Sequence, residues 1–179
     1  MIVLGLDVSY SRTGLVWLEW DRPQPLGPTT QPSLYKSKTF EIARGEWRLG
    51  RAQNLLYTEL QIQLVKPDLA VIEGSIQRAG RYSRGAERKR GIKVLTMLQE
   101  LNGVFKAVLD HFKIPTLESS PTHMKKLIAM KGTADKSVVA REIKARFGIE
   151  FPGDEKKGFD LYDAAGLALV GLKHRGMPL

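Results

Sequence analysis

Four acidic residues stand where a carboxylate is hard to explain as a solubilising group. Asp7 directly follows the apolar run Ile2 to Leu6, and Glu73 directly follows Leu69-Ala70-Val71-Ile72. Each run is short and rich in aliphatic side chains, as a buried strand is. Each acid therefore stands at the C-terminal end of a strand, where an open α/β sheet presents its ligand crevice. Asp160 and Asp163 are spaced i, i+3, which puts both on one helix face. The small residues Ala164, Ala165 and Gly166 behind them let that helix come close to the sheet. A buried carboxylate is costly unless it is paired or bound to a cation. Four such groups converging on one crevice make a set of hard oxygen ligands, suited to Mg²⁺ or Mn²⁺ rather than zinc.

Each acid also has a plainer role open to it. Asp160 could be a helix N-cap with Asp163 in the first turn, where the helix dipole favours negative charge. Asp7 could cap the Ser9-Tyr10-Ser11 turn, and Glu73 could pair with an arginine of the loop that follows it. The combination of the four is far more specific than any one of them. The three histidines offer little to a reaction: His111 falls at a helix end, His123 in the Pro121 region, and His174 roughly 16 Å along its helix from Asp163.

The elements that must carry these acids follow in order. Ile2 to Leu6, Gly14 to Trp20 and the alternating stretch Ser33 to Ile42 read as three successive strands. Between the second and third, Asp21 to Pro32 holds four prolines and Gly27, which predicts an irregular connection. Apolar residues at helical spacing predict a helix over Glu46 to Val65, stopped by Pro67. The run Leu69 to Ile72 reads as a central parallel strand. A helix is predicted from about Arg90 to Phe112, then a strand at Ile114 to Leu117. Helices follow over Pro121 to Met130, Lys136 to Phe147 and Asp160 to Lys173, the middle one with Asp135 as its N-cap. Three strands followed by alternating helices and strands favour an α/β fold with a mixed sheet and helices on its faces, in which the first and fourth strands lie side by side.

The 179 residues suit one domain, spanning 1–179. With 42% apolar residues the chain can bury a core, and with no cysteine it has no disulfide, thiolate metal site or thiol nucleophile. The N-terminus lacks a basic region ahead of a long apolar stretch, so no signal peptide is expected, and no apolar run approaches the ~20 residues that cross a bilayer. A soluble, intracellular protein with no membrane partner is expected.

Lys plus Arg number 28 against 19 Asp plus Glu, a net charge of +9, which favours a polyanionic partner, nucleic acid first. The stretch Gln77 to Arg90 holds Arg78, Arg81, Arg84, Arg88, Lys89 and Arg90 against Glu87 alone. Beside Glu73, and with Gly80, Tyr82, Ser83 and Gly85 interleaved, it reads as a flexible nucleic-acid-binding segment that tracks phosphates and orders on binding, with Tyr82 available to stack on an unpaired base. Its plainer reading is a solvated loop or a salt-bridged helix entry. Arg44, Arg48 and Arg51 form a second, weaker basic cluster.

Gly5-Leu6-Asp7-Val8-Ser9 with Gly14 after the turn, Val71-Ile72-Glu73, and Asp160-Leu161-Tyr162-Asp163-Ala164 resemble, in order along nearly the whole chain, the acidic motifs of RuvC-type Holliday junction resolvases of the RNase H-like superfamily. Lys125 and Lys136 around Gly132-Thr133 resemble two basic residues that flank a turn before a helix in that family. The resemblance implies a five-stranded mixed sheet of order 3-2-1-4-5 with strand 2 antiparallel and helices on both faces. It also implies a Mg²⁺-dependent homodimer that nicks two strands of a four-way DNA junction symmetrically, in the cytoplasm of a bacterial or phage-infected cell. A branch-migration helicase is a further candidate partner. Two features depart from the pattern. Ile76 stands where several relatives carry an aromatic wedge, so that Tyr82 substitutes or no wedge exists, and the connection Asp21 to Pro32 is longer than expected.

Phosphodiester hydrolysis needs cations that neutralise the phosphoryl oxygens, activate a water and stabilise the leaving oxygen, and two divalent ions about 3.5–4 Å apart do all three. Within the resemblance Asp7 bridges two Mg²⁺ ions (Mn²⁺ as substitute), Glu73 and Asp160 flank them, and Asp163 is a second helix ligand. Lys136 and Lys125 contact the scissile phosphate. The amphipathic helix Ile92 to Phe112 covers the sheet or supplies a dimer interface. Against these stand an RNase H-like nuclease acting on other branched DNA or RNA:DNA hybrid, and a non-enzymatic nucleic-acid binder. Against an actin-like or sugar-kinase-like ATPase stands the expectation of a second such unit and an adenosine site, for which 179 residues are too few.

Overall fold

The computed structural model describes residues 1–9, 12–20, 31–41, 48–63, 65–74, 86–151 and 155–179, the side chains of 48, 86–94 and 155–157 excepted. The strands are β1 (Ile2–Asp7), β2 (Arg12–Glu19), β3 (Ser33–Glu41), β4 (Leu69–Glu73) and β5 (Thr116–Ser119). The helices are α1 (Arg48–Gln61), α2 (Ala86–His111), α3 (Pro121–Ala129), α4 (Lys136–Phe147) and α5 (Glu155–His174). The sheet order is β3-β2-β1-β4-β5, with β2 antiparallel to both neighbours and β1, β4 and β5 parallel. This is the mixed sheet, order and strand direction expected above.

Successive strand side chains point to opposite faces, and the apolar residues divide accordingly. Val3, Val16, Leu18, Leu69 and Val71 pack toward α5, with α3 and α4 beyond it. Leu4, Leu6, Leu15, Trp17, Ala70 and Ile72 pack toward Leu56 and Leu60 of α1 and Leu101, Phe105 and Leu109 of α2. Helices therefore cover both faces, and the runs of β1 and β4 are apolar throughout because neither side meets water.

On the α5 face two glycines set the spacing. A Cβ on Gly5 would lie 1.9 Å from the Ala164 carbonyl oxygen, and one on Gly14 would lie 2.4 Å from that of Asp160. No larger residue fits either place, so α5 rests backbone against backbone on β1 and β2. Ala164 and Ala168 line this contact. Gly166, expected to help the approach to the sheet, is turned to Met124 of α3 instead.

Several boundaries differ from expectation for physical reasons. Helix α5 starts at Glu155, so Asp160 lies inside the helix and is not its N-cap; the polar Glu155-Lys156-Lys157-Gly158 hides this start from any apolar pattern. Helix α2 begins at Ala86, four residues early, within charged residues that favour helix without showing a period. The last strand is Thr116–Ser119 and not Ile114 to Leu117. Lys113 is left-handed (φ 56°), its N–H bonds to Asp110 O and that of Ile114 to Leu109 O, which makes Ile114 part of the helix C-cap. Helix α1 ends at Gln61, and Ile62 and Val65 beyond it are exposed although they continue the apolar pattern. Helix α4 matches its expected bounds; Asp135 has N-cap geometry but its side chain makes no capping bond. Residues 21–30 of the proline-rich connection lie outside the described residues. No helix among the described residues is long and apolar enough to cross a membrane.

Candidate active site

Strand alternation aims the acids. Counting by two from Val3 and Val71, both Asp7 and Glu73 fall on the α5 face, at the ends of adjacent parallel strands, one residue past the Leu6–Ile72 pair. Helix α5 passes over this edge with Asp160 and Asp163 one turn apart on its sheet-facing side. Asp7 and Asp163 are each only 6% exposed.

The electrostatics show how closely the acids meet. Burial pushes the Asp7 carboxyl well above its ordinary value of 3.8, and the negative charges of Glu73 and Asp163 push it further; Asp7 and Glu73 are hydrogen bonded side chain to side chain. Burial also raises the Glu73 carboxyl above 4.5, with Asp163 adding to it, although the bond to Asp7 and the charges of Lys136 and Lys125 pull the other way. Like charges so near each other in a poorly hydrated place cannot all stay ionised without a cation.

Lys136, the first residue of α4, reaches the helix acids, its Nζ lying 2.7 Å from Asp163 Oδ2 and 3.7 Å from Asp160 Oδ1. Burial pulls its pKa down, but Asp163 and then Asp7 and Asp160 more than offset this, so it is raised above 10.5 and the ammonium stays charged. Lys125 donates to the Ala134 carbonyl at 2.7 Å, tying down the turn that leads into Lys136, and its charge reaches Glu73.

Two contributors were missed in the sequence. Arg12 Nε lies 2.6 Å from Asp160 Oδ2. The signal was available: Arg12 falls on the α5 face by the same count of two that runs through Gly14 and Val16. Asn102, buried on α2, donates from Nδ2 to the Glu73 carbonyl at 2.9 Å and so anchors the end of β4; nothing in its helical spacing among apolar residues marks it. The Ser9 hydroxyl clips Arg12, accepting from its N–H at 3.1 Å and donating to its carbonyl. Tyr10 and Ser11, the rest of the turn that Asp7 was considered to cap, lie outside the described residues, as do Arg44, Ile76, Arg78, Arg81, Tyr82 and Arg84. Arg88, Lys89 and Arg90 lie on the first turns of α2, and Arg48 opens α1; for these the backbone alone is described. Arg51 is exposed on α1.

The donor set fits a hard divalent cation. All four side chains are carboxylates, two carry raised pKa values that a cation would lower, and Asp163 Oδ1 is buried with no hydrogen-bond partner among the described residues. No group of three or more His, Asp or Glu among the described residues stands ready in a ligating cluster.

A mixed sheet of this order and direction, covered on both faces, with acids at the ends of its two central parallel strands, defines an RNase H-like fold. No family model matches the chain. Within that class the chain resembles RuvC-type resolvases over nearly its whole length. The crossover junction endodeoxyribonuclease RuvC of Synechococcus sp. (strain RCC307) is 26% identical over 170 residues, 95% of this chain and 97% of that protein. The Thermus thermophilus RuvC structure matches with a TM-score of 0.70 at 20% identity, covering 99% of this chain and 98% of that one. T. thermophilus RuvC in complex with Holliday junction substrate matches at 0.73 and 19%, covering 99% and 96%.

Proposed function

We propose that this chain, as one RNase H-like nuclease domain over residues 1–179, is a Mg²⁺-dependent endodeoxyribonuclease that resolves four-way DNA junctions by paired symmetric nicks. The observation that carries this reading is the convergence of Asp7, Glu73 and Asp163 on one edge of the sheet, with Lys136 at its rim. The RuvC relative, named a crossover junction endodeoxyribonuclease, supports it, as does the likeness to an RuvC held on a Holliday junction.

Asp7, Glu73, Asp160 and Asp163 would hold the Mg²⁺ ions. Bound there, the ions supply the positive charge that activates a water and stabilises the leaving oxygen of a phosphodiester. The chain's own contribution is position. The Gly5 and Gly14 contacts hold the helix acids against the strand acids, and Asn102 fixes the carbonyl of Glu73. Lys136, kept charged by its acidic neighbours and exposed on one side, takes a phosphate oxygen as a point charge. Lys125 holds the turn that aims it. The basic stretch with Arg78, Arg81, Tyr82, Arg84, Arg88, Lys89 and Arg90 tracks the arms of the junction. A homodimer places two such sites on opposed strands, and the protein works in the cytoplasm, with a branch-migration helicase as a further partner.

The test is Mg²⁺-dependent cleavage of a four-way junction beside linear duplex, Y-fork and RNA:DNA hybrid of the same sequence, with product ends mapped. Paired, ligatable nicks confined to the junction are expected. Preferred cleavage of the fork or the hybrid would replace this reading with an RNase H-like nuclease of other substrate. Binding to all four without cleavage would leave a nucleic-acid-binding protein.

A further inference from the structure

The two helix acids differ in one respect. Asp163 keeps a buried oxygen without a hydrogen-bond partner among the described residues, whereas Asp160 has both oxygens beside cations, Oδ2 at 2.6 Å from Arg12 Nε and Oδ1 at 3.7 Å from Lys136 Nζ. Resting on the resolvase reading, we propose that Arg12 exchanges partners: it competes with a divalent ion for the Asp160 carboxylate, and passes its guanidinium to a substrate phosphate once the ion has taken Asp160.

The geometry around Arg12 suits an exchange. Its backbone is fixed on both sides, by the Ser9 hydroxyl that meets its N–H and its carbonyl, and by the start of β2, whose Gly14 touches the backbone of Asp160. The helix and strand therefore cannot separate to break the pair, and what can move is the side chain. Its side chain is 26% exposed and that of Asp160 18%, so the pair is reachable from solvent. A guanidinium leaving a carboxylate finds in a phosphate an acceptor of the same fork geometry. An ion entering between Asp7, Glu73 and Asp163 meets a surplus of negative charge. Neutralising it removes much of what holds Arg12 to Asp160, and places a cation of its own beside that arginine.

The test compares wild type, Arg12→Gln and Arg12→Lys, each confirmed as folded by its thermal transition. Mn²⁺ is titrated calorimetrically without DNA. Junction affinity is measured in Ca²⁺ across a salt series. With the competitor gone, Arg12→Gln binds Mn²⁺ about fivefold more tightly, the worth of a partly exposed ion pair, while Arg12→Lys stays near wild type. Arg12→Gln also binds the junction with a log K against log salt slope smaller by about one. Mn²⁺ affinity that is unchanged or weaker in Arg12→Gln, in a protein that cleaves junctions with Mg²⁺, overturns the exchange and leaves the resolvase reading standing. Tighter Mn²⁺ binding with an unaltered salt slope overturns the passage to phosphate. A wild-type protein that neither binds Mn²⁺ nor cleaves overturns both readings.

Discussion

Two buried carboxylates on opposite faces of the sheet meet the same cost in opposite ways. Glu59 on α1 is bonded by Lys36 and Lys38 from β3. Burial pushes its carboxyl up, but the two ammonium bonds outweigh burial and hold it below 4.5. Asp7, on the α5 face, is surrounded by further acids, and burial and those charges raise it well above 3.8. A carboxylate that is finished by its neighbours is part of the scaffold. One that is made worse by them holds its proton unless positive charge is supplied from outside.

Substitutions sharpen that contrast. Asp7→Asn should reduce single-turnover junction cleavage by about 10³-fold or more, several kcal/mol of lost charge stabilisation, while its urea midpoint without metal does not fall. Equal loss of stability and cleavage would make Asp7 a scaffold residue like Glu59. Gly5→Ala forces a methyl into the Ala164 carbonyl and should cost about 3 kcal/mol in urea unfolding, with cleavage falling in the fraction that stays folded. A tolerated alanine would mean that α5 is free to shift and the acids are not held by backbone contact. Glu59→Gln should cost only about 1 kcal/mol, since both lysines reach water, and leave cleavage unaltered.

The pH dependence separates the two acids as well. Glu59 has a lowered folded pKa, so its contribution to stability is present above 4.5 and lost as pH falls through the lower folded value. Asp7 and Glu73 have raised folded pKa values, so the stability linked to them is full below 3.8 and 4.5 and lost as pH rises through the folded values. In chelator, Glu59→Gln should therefore flatten the stability curve below about pH 4.5, and Asp7→Asn should flatten it above, as read by urea midpoints from pH 3 to 8. Mg²⁺ should raise the wild-type midpoint more at the upper end. Identical curves for the two variants would erase the distinction.

What was legible in the sequence follows the same division. Asp7 and Glu73 ended apolar runs whose length and flanks identified buried strands, and the i, i+3 spacing of Asp160 and Asp163 placed them on one face of a helix. Sheet order and strand direction followed from the family resemblance and hold in the structure. Arg12 was not singled out, because a lone arginine after a polar turn has no period of its own; only its register with Val16, two steps along β2, turns it to α5. The C-cap at Ile114 passed for a strand because an isoleucine beside a proline looks the same in either place. Lys36 and Lys38 fall in the alternating stretch Ser33 to Ile42, and their partner Glu59 lies 21 positions beyond Lys38, too far for local spacing to reveal.

From Leu161 to Leu172, α5 is buried on nearly all its sides, wedged between the sheet and the two helices beyond. A segment so enclosed has no private route to opening: freeing it exposes most of the apolar interior at once. Asp163, the acid on this stretch, accordingly has no loosened yet folded state of its own in which to drift from the strand ends.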